Sequence, residues 1–309
     1  MNKKLAFYIL KRILLALLTV VIVITVTFFA MQLIPGGPFT SEKAVTPEVM
    51  ERLKAKYGLN KPLIIQYFNY LKGAIVFDFG YSIKSRGAVT VTSIITEGLK
   101  TSAIVGIIAA FIAIVFGVIL GSLAAYKHNT VVDRIIMVLS TASVAVPSFI
   151  IASIFLYLFC LVWQVLPANG DSWMGYILPT ITLSFSPMAY IIRLTRSSTL
   201  DVLGSDYIRT ANAKGCSFSR VLFKHSLRNS LTPVITYAGP MIAFIITGSL
   251  VVEKIYGVKG IGRSFVSSIT NRDYPLIMGL TIFLTYLVIV MVLISDILYK
   301  VVNPRVELE

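Results

Sequence analysis

Charge is scarce in this sequence. Only 14% of its 309 residues are Asp, Glu, Lys or Arg and 56% are apolar, whereas an ordinary soluble domain carries about 25% charged residues. That balance points to a membrane protein. Acidic residues are the rarer sign, 14 against 28 basic ones, for a formal charge of +14. The excess does not indicate nucleic acid, because the basic residues sit between long apolar runs rather than on one soluble face. Lys- and Arg-rich cytoplasmic flanks explain it. Two cysteines, Cys160 in an apolar run and Cys216 in a basic stretch, imply no disulfide framework. The two histidines, His128 and His225, lie outside the apolar runs, and neither belongs to an H-E-x-x-H pattern.

The apolar runs themselves are long. A bilayer core of roughly 30 Å needs about 20 helical residues. Six segments, 13–34, 101–126, 135–163, 176–192, 233–252 and 276–295, meet or approach that length, and none contains Asp, Glu, Lys, Arg or His. The first follows Lys3, Lys4, Lys11 and Arg12. It exceeds the core of a signal peptide, about 7 to 15 residues, and reads as a retained span.

Orientation follows from the connections. Arg193, Arg196, Arg209, Lys214, Arg220, Lys224 and Arg228 crowd the loop between spans four and five, while residues 168–173, between spans three and four, hold no Lys or Arg. With six spans and a basic start, both termini are expected in the cytoplasm. Residues 35–100 then form an external loop, too long for its Lys and Arg content to decide orientation. Within it, Thr46 and Pro47 make a helix start and Gly58 a stop; Asn60 and Pro62 start a second helix that Gly73 ends. In that second helix Leu63, Tyr67, Phe68 and Leu71 share a face suited to the membrane domain or the lipid interface.

Spans without ionisable groups argue against a proton-coupled carrier and an intramembrane hydrolase, both of which place such groups at depth. A sodium-coupled carrier using Ser, Thr and carbonyl oxygens stays open as an alternative. No catalytic, metal or cofactor site is expected. Residues 257–264, GVKGIGRS, approximate the phosphate-cradling G-x-x-x-x-G-K-[ST], but they follow a span rather than a strand and read as an external turn. Gly117 and Gly121 form a GxxxG face in span two, with Ala113 a turn earlier. Pro147, Pro179, Pro187 and the Gly239–Pro240 pair permit bends. In span five Thr236, Tyr237, Thr247 and Ser249 are candidates for lining a pathway.

The basic loop has its own pattern. Asp206 is placed to cap a short helix in which Tyr207, Ile208 and Ala211 share one side, with Arg209 and Lys214 away from it. Thr210, Asn212 and Ala213 complete the helix, and Gly215 supplies a left-handed stop. Ser217 then caps a second helix with an apolar face of Phe218, Val221, Leu222 and His225. Two readings stand on spacing alone: a hairpin resting on anionic headgroups, or a lever seated in a partner's groove. A headgroup-bound segment does not need two capped helices joined to a span, whereas a lever does.

DYIRTANAKG at 206–215 and HSLRNSLTP at 225–233 resemble the cytoplasmic signature loop of membrane subunits of binding-protein-dependent ABC importers, in the oligopeptide, dipeptide and nickel branch. KRILLALL, LIPGGP, DFGYS at 78–82, GSLVVEKIYGVKGIG from Gly248, NRDYP at 271–275 and NPRV extend the resemblance over nearly the whole chain. Arg209 stands where the broader family has glutamate, and Gly37 and Asn303 stand where the branch often has aspartate. LIPGGP and the long external loop are most similar to the first permease of an oligopeptide system.

The resemblance implies an all-α integral membrane permease subunit with six spans. It organises the chain as a terminus and first span at 1–34, an external loop at 35–100, a five-helix core at 101–303 with a coupling loop at 193–232, and a tail at 304–309. It implies a second, homologous permease, two cytoplasmic ATP-binding subunits and an external substrate-binding protein as partners, with peptide as cargo and membrane lipid around it. ATP hydrolysis is expected on the partners, so the chain itself is no enzyme. Asp206 to Gly215 become the ATPase-coupling residues. The alternative within this class is an importer of dipeptides or nickel.

Overall fold

In hydrocarbon the backbone has no water to bond, so an apolar run of this length closes its hydrogen bonds internally as a helix. The computed structural model describes residues 3–34, 51, 55, 58–85, 88–170, 172–216, 226–247 and 250–302. The helix start at Thr46 and Pro47, the capped helix at Ser217, and Gly37, Ser249 and Asn303 lie outside the described residues.

The described elements are helical. They are α1 (Lys3–Gln32), α2 (Leu63–Ile75), α3 (Val91–Tyr126), α4 (Val131–Ala145), α5 (Ser148–Phe155), α6 (Ile177–Leu203), α7 (Asp206–Ala213), α8 (Leu227–Ser230), α9 (Thr232–Ile246), α10 (Leu250–Ile255), α11 (Ile261–Thr270) and α12 (Tyr274–Val302). A π-helical stretch, Leu156–Val162, continues α5. Among the described residues, five helices are long and apolar enough to cross a membrane, or six if the pair α4 and Ser148–Val162, bent by 100°, counts as one span.

Several expectations change. The third span is not one rod: Pro147 breaks it, since proline lacks the N–H and its ring crowds the preceding turn. The helices outrun the apolar runs, so α4 begins at Val131 and carries Asp133, α6 carries Arg193 and Arg196, and the candidate span Thr232–Ile255 ends with Glu253 inside it. Gly73 does not stop α2. The helix runs to Ile75 and ends through Phe77, which takes a left-handed φ of 56°, with Asp78 N–H donating to the Gly73 carbonyl at 2.9 Å. Gly73 instead leaves room for that return, since a Cβ there would lie 2.5 Å from the Asp78 oxygen.

The chain divides into two compact units. One comprises Met1–Thr101 and Gly260–Ile289. Its core joins Val20 and Ile24 of α1, Val91 and Ile95 of α3, Ile261 of α11 and Leu280 and Ile282 of α12. Tyr67 and Leu71 of α2 pack on this core, while Leu63 and Phe68, expected on the same face, are exposed. Tyr67 reaches the Thr25 hydroxyl at 2.8 Å.

In this same unit the motifs DFGYS and NRDYP meet. Asp273 is 1% exposed and accepts hydrogen bonds from the Ser82 hydroxyl at 2.5 Å, Ile83 N–H at 3.1 Å and Lys84 N–H at 3.3 Å. It also accepts from Leu276 N–H at 3.4 Å in the first turn of α12. A buried carboxylate is tolerated because these donors replace its water.

The other unit comprises Ser102–Lys259 and Val290–Glu309. Here the GxxxG face of α3 lies against α6. A Cβ on Gly117 would sit 2.7 Å from Ile191 Cγ2, and one on Gly121 would sit 2.6 Å from the Ile192 carbonyl oxygen. Ala113 is buried in the same seam. Only residues without side chains let the backbones approach this closely. Gly121→Leu is therefore expected to destabilise the detergent-solubilised protein by about 3 kcal/mol through overpacking. A thermal melt reads it, and an unchanged midpoint would show that α3 and α6 separate without cost.

Candidate functional site

Two parts of the second unit carry the candidate function, the α6–α7 corner and the bend at Pro147. The corner is built from local hydrogen bonds. After α6, Gly204 N–H donates to the Leu200 carbonyl at 3.1 Å, and Ser205 N–H donates to Val202. The Ser205 carbonyl then accepts from Ile208 and Arg209, both at 3.2 Å. Asp206 thus occupies the first turn of α7 and not the capping position before it; its carboxylate still stands at the positive end of the helix. Arg209 Nη1 lies 3.7 Å from Asp206 Oδ1, with both side chains largely in solvent.

The stop is the one the sequence indicates. Gly215 has φ +74°, and Cys216 N–H donates to the Ala211 carbonyl at 3.2 Å, the six-to-one bond of a Schellman ending. Ile208 and Ala211 are buried against Val202, Leu203 and Cys216, so α7 is pinned to the end of α6. Tyr207 departs from expectation. It is exposed rather than on the buried side, and its hydroxyl accepts from Asn229 Nδ2 at 2.9 Å. That bond ties DYIRTANAKG to HSLRNSLTP, the two halves of the signature stretch. Thr210 Oγ1 donates to the Asp206 carbonyl at 2.9 Å, and Lys214 is exposed beyond the helix end. Ala213 closes the helix, and the side chain of Asn212 lies outside the described residues.

At the bend, α4, α5 and α6 line an open cavity of about 230 Å³. Its polar lining comes from Ser143, Ser148, Thr182 and Ser186, and its apolar lining includes Pro147 and Phe185. Tyr256, from the motif that begins at Gly248, is 1% exposed and braces this wall. Its hydroxyl donates to the Ala152 carbonyl at 2.9 Å and lies 3.2 Å from Thr182 Oγ1. The span-five candidates lie elsewhere. Thr236 and Thr247 turn their hydroxyls to the Thr232 and Phe244 carbonyls of their own helix, and the Tyr237 ring lies against that of Tyr190, centroids 4.3 Å apart and planes tilted by 35°.

Sequence reading missed one constellation altogether. Asp133, 3% exposed in the first turn of α4, takes Arg196 of α6 in a two-pronged pair: Nε to Oδ1 at 2.6 Å and Nη2 to Oδ2 at 2.8 Å. Asn129 N–H adds a third bond at 3.0 Å. Arginine has no acceptor, so Nη2 donates to His128 Nδ1 at 3.1 Å. Asp133 is the buried partner and Arg196 the partly exposed one, so removing Arg196, which leaves a buried carboxylate without its counter-charge, costs more than removing Asp133. The available signal was an acid and a base at the edges of two apolar runs, each masked by a neighbouring charge, Arg134 beside Asp133 and Arg193 near Arg196.

Comparison with known proteins identifies this assembly of helices. Residues 117–308 match the family described as "Binding-protein-dependent transport system inner membrane component", and residues 5–115 match its N-terminal counterpart. The chain belongs to this family. Among curated members, the oligopeptide transport system permease protein OppB of Haemophilus influenzae is 45% identical over 97% of this chain and 99% of its own. OppB of Escherichia coli K12 is 43% identical over the same shares. The dipeptide transport system permease protein DppB of Bacillus subtilis is 42% identical over 98% of each. Among solved structures, an inward-facing form of the MetNI methionine ABC transporter aligns with a TM-score of 0.55. It shares 14% identity and covers 68% of this chain and 96% of that one, a likeness of fold. The family is that of the resemblance read from the signature loop, and multi-pass insertion in the membrane follows from it.

Proposed function

We propose that this chain is one membrane-spanning half of an ATP-driven oligopeptide importer, paired with a second, homologous permease and moved by two cytoplasmic ATPases. One observation carries the reading: relatives named as oligopeptide or dipeptide permeases match 97% or 98% of the chain at 42% to 45% identity. In this reading both termini and residues 193–232 face the cytoplasm and residues 35–100 face outward, where a binding protein delivers peptide. The distribution of Lys and Arg supports that orientation. ATP is hydrolysed on the partners, and α7, from Asp206 to the Gly215 stop, receives their motion.

The cavity supports a shared pathway. At about 230 Å³ it is smaller than a typical small-molecule pocket of about 300–1,000 Å³. An oligopeptide therefore needs space contributed by a second subunit, and Thr236, Tyr237, Thr247 and Ser249 of span five stay candidates for lining it. Dipeptides are the second reading, supported by the likeness to the Bacillus subtilis dipeptide permease.

Co-purification and uptake test the proposal together. A tagged chain expressed with its neighbouring genes should recover a second permease and ATP-binding subunits, and liposomes holding the complex should take up peptide only with ATP and a binding protein. A chain that purifies alone and moves peptide without ATP would overturn it, in favour of an ion-coupled carrier. Competition between tripeptides to pentapeptides and dipeptides separates the two cargo readings.

A further inference from the structure

Motion received at α7 has to reach the bend at Pro147, where α4 gives way to α5. We propose that the Asp133–Arg196 pair is the joint that carries it, making these two positioning residues for transport. The proposal rests on the reading of α7 as the coupling helix.

The connection from α7 back into α6 is stiff. Ser205 N–H bonds Val202, the Ser205 carbonyl holds Ile208 and Arg209, and Val202 and Leu203 pack on Ile208 and Ala211. A displacement of α7 therefore displaces the end of α6. Arg196 lies two turns above that end, on the continuous helix Ile177–Leu203. Its planar fork fixes direction as well as distance, because two parallel N–H bonds to one carboxylate resist both rotation and sliding. Asp133 is in turn fixed to the loop by Asn129 N–H.

From Asp133 the helix α4 runs without a break to Ala145, and its far end supplies Ser143 and Val144 to the cavity. At about 1.5 Å per residue the arm from Asp133 to Ala145 is about 18 Å long. Beyond the joint, toward the cavity, Ile136 packs with Ile192 and Ala124 as a greasy contact with no directional bond. Such a contact allows sliding; the ion pair does not. The pair thus makes α4 follow α6, and the cavity wall on α4 follows α7.

The experiment uses the assembled complex in liposomes and records peptide uptake and ATP hydrolysis separately. Asp133→Asn and Arg196→Lys each remove the fork, the second while keeping the charge. Both should assemble and hydrolyse ATP, with peptide moved per ATP reduced about tenfold, a coupling change of ordinary size for residues between two sites. The double variant Asp133→Leu with Arg196→Met replaces the pair by an apolar contact and should assemble as well as the native chain while showing the same loss. Gly215→Val is run in parallel. If Gly215→Val uncouples and the pair variants do not, the joint is refuted and the coupling helix stands. If Gly215→Val also transports normally, the reading of α7 fails. If none of the three pair variants assembles, the pair is a folding element and the proposal is overturned.

Discussion

Gly215→Val should leave the complex assembled and hydrolysing ATP while peptide uptake falls about tenfold. The cause is backbone strain alone. A Cβ at Gly215 meets nothing within 4 Å, so no neighbour is displaced, but φ is +74°. A non-glycine residue in that region costs roughly 1–2 kcal/mol, and a β-branched one resists it more. One or two kcal/mol changes a local equilibrium by a factor of about 5–30. Here the equilibrium is between a helix stopped at Ala213, with Cys216 returning to Ala211, and one that has lost its stop. Gly215→Asn should recover most of the uptake, since asparagine tolerates the left-handed conformation. Native uptake by Gly215→Val would remove the stop from any part in coupling.

Asp273→Ala should have the largest effect on stability. Its carboxylate is buried and holds four donors, three of them backbone N–H groups that cannot turn to water. Hydrogen bonds to a charged group contribute about 1.5–3 kcal/mol each, and orphaned buried donors add to the cost, so a loss of about 3 kcal/mol or more is expected. Ser82→Ala removes one of the four donors and a long bond accepted from Ser85 N–H at 3.3 Å, and should cost much less. Melting of the detergent-solubilised protein discriminates: Asp273→Ala well below Ser82→Ala supports the account, and equal midpoints defeat it.

Which features could be read from the sequence follows from how far apart their parts lie. Apolar runs announce helices because each hydrogen bond closes four residues away, and Gly215 announces a stop because the φ requirement is local. Gly117 and Gly121 announce close packing because they recur on one face, although only the fold names Ile191 and Ile192 as what they meet. Pro147 marks the place of the bend, but not its 100°. The polar constellations leave no periodic trace. Asp133 and Arg196 are 63 residues apart, and Ser82 and Asp273 are 191 apart. Asp133, Arg196 and Asp273 each look in sequence like an ordinary charge at a membrane edge, and Ser82 like an ordinary loop serine. Tyr207 was misplaced for a related reason: its apolar ring suggests the buried side, while Asn229 draws its hydroxyl outward.

The bond between Ser82 and Asp273 also bears on how the protein is made. The first unit takes its opening segment from Met1–Thr101 and cannot close until Gly260–Ile289 has been synthesised. Until then Val20, Ile24, Val91 and Ile95 lack their partners Ile261, Leu280 and Ile282. A nascent chain therefore carries an open apolar seam through most of its translation. The acceptor for the Ser82, Ile83 and Lys84 donors is thus among the last residues made, and the first unit closes only as α12 begins.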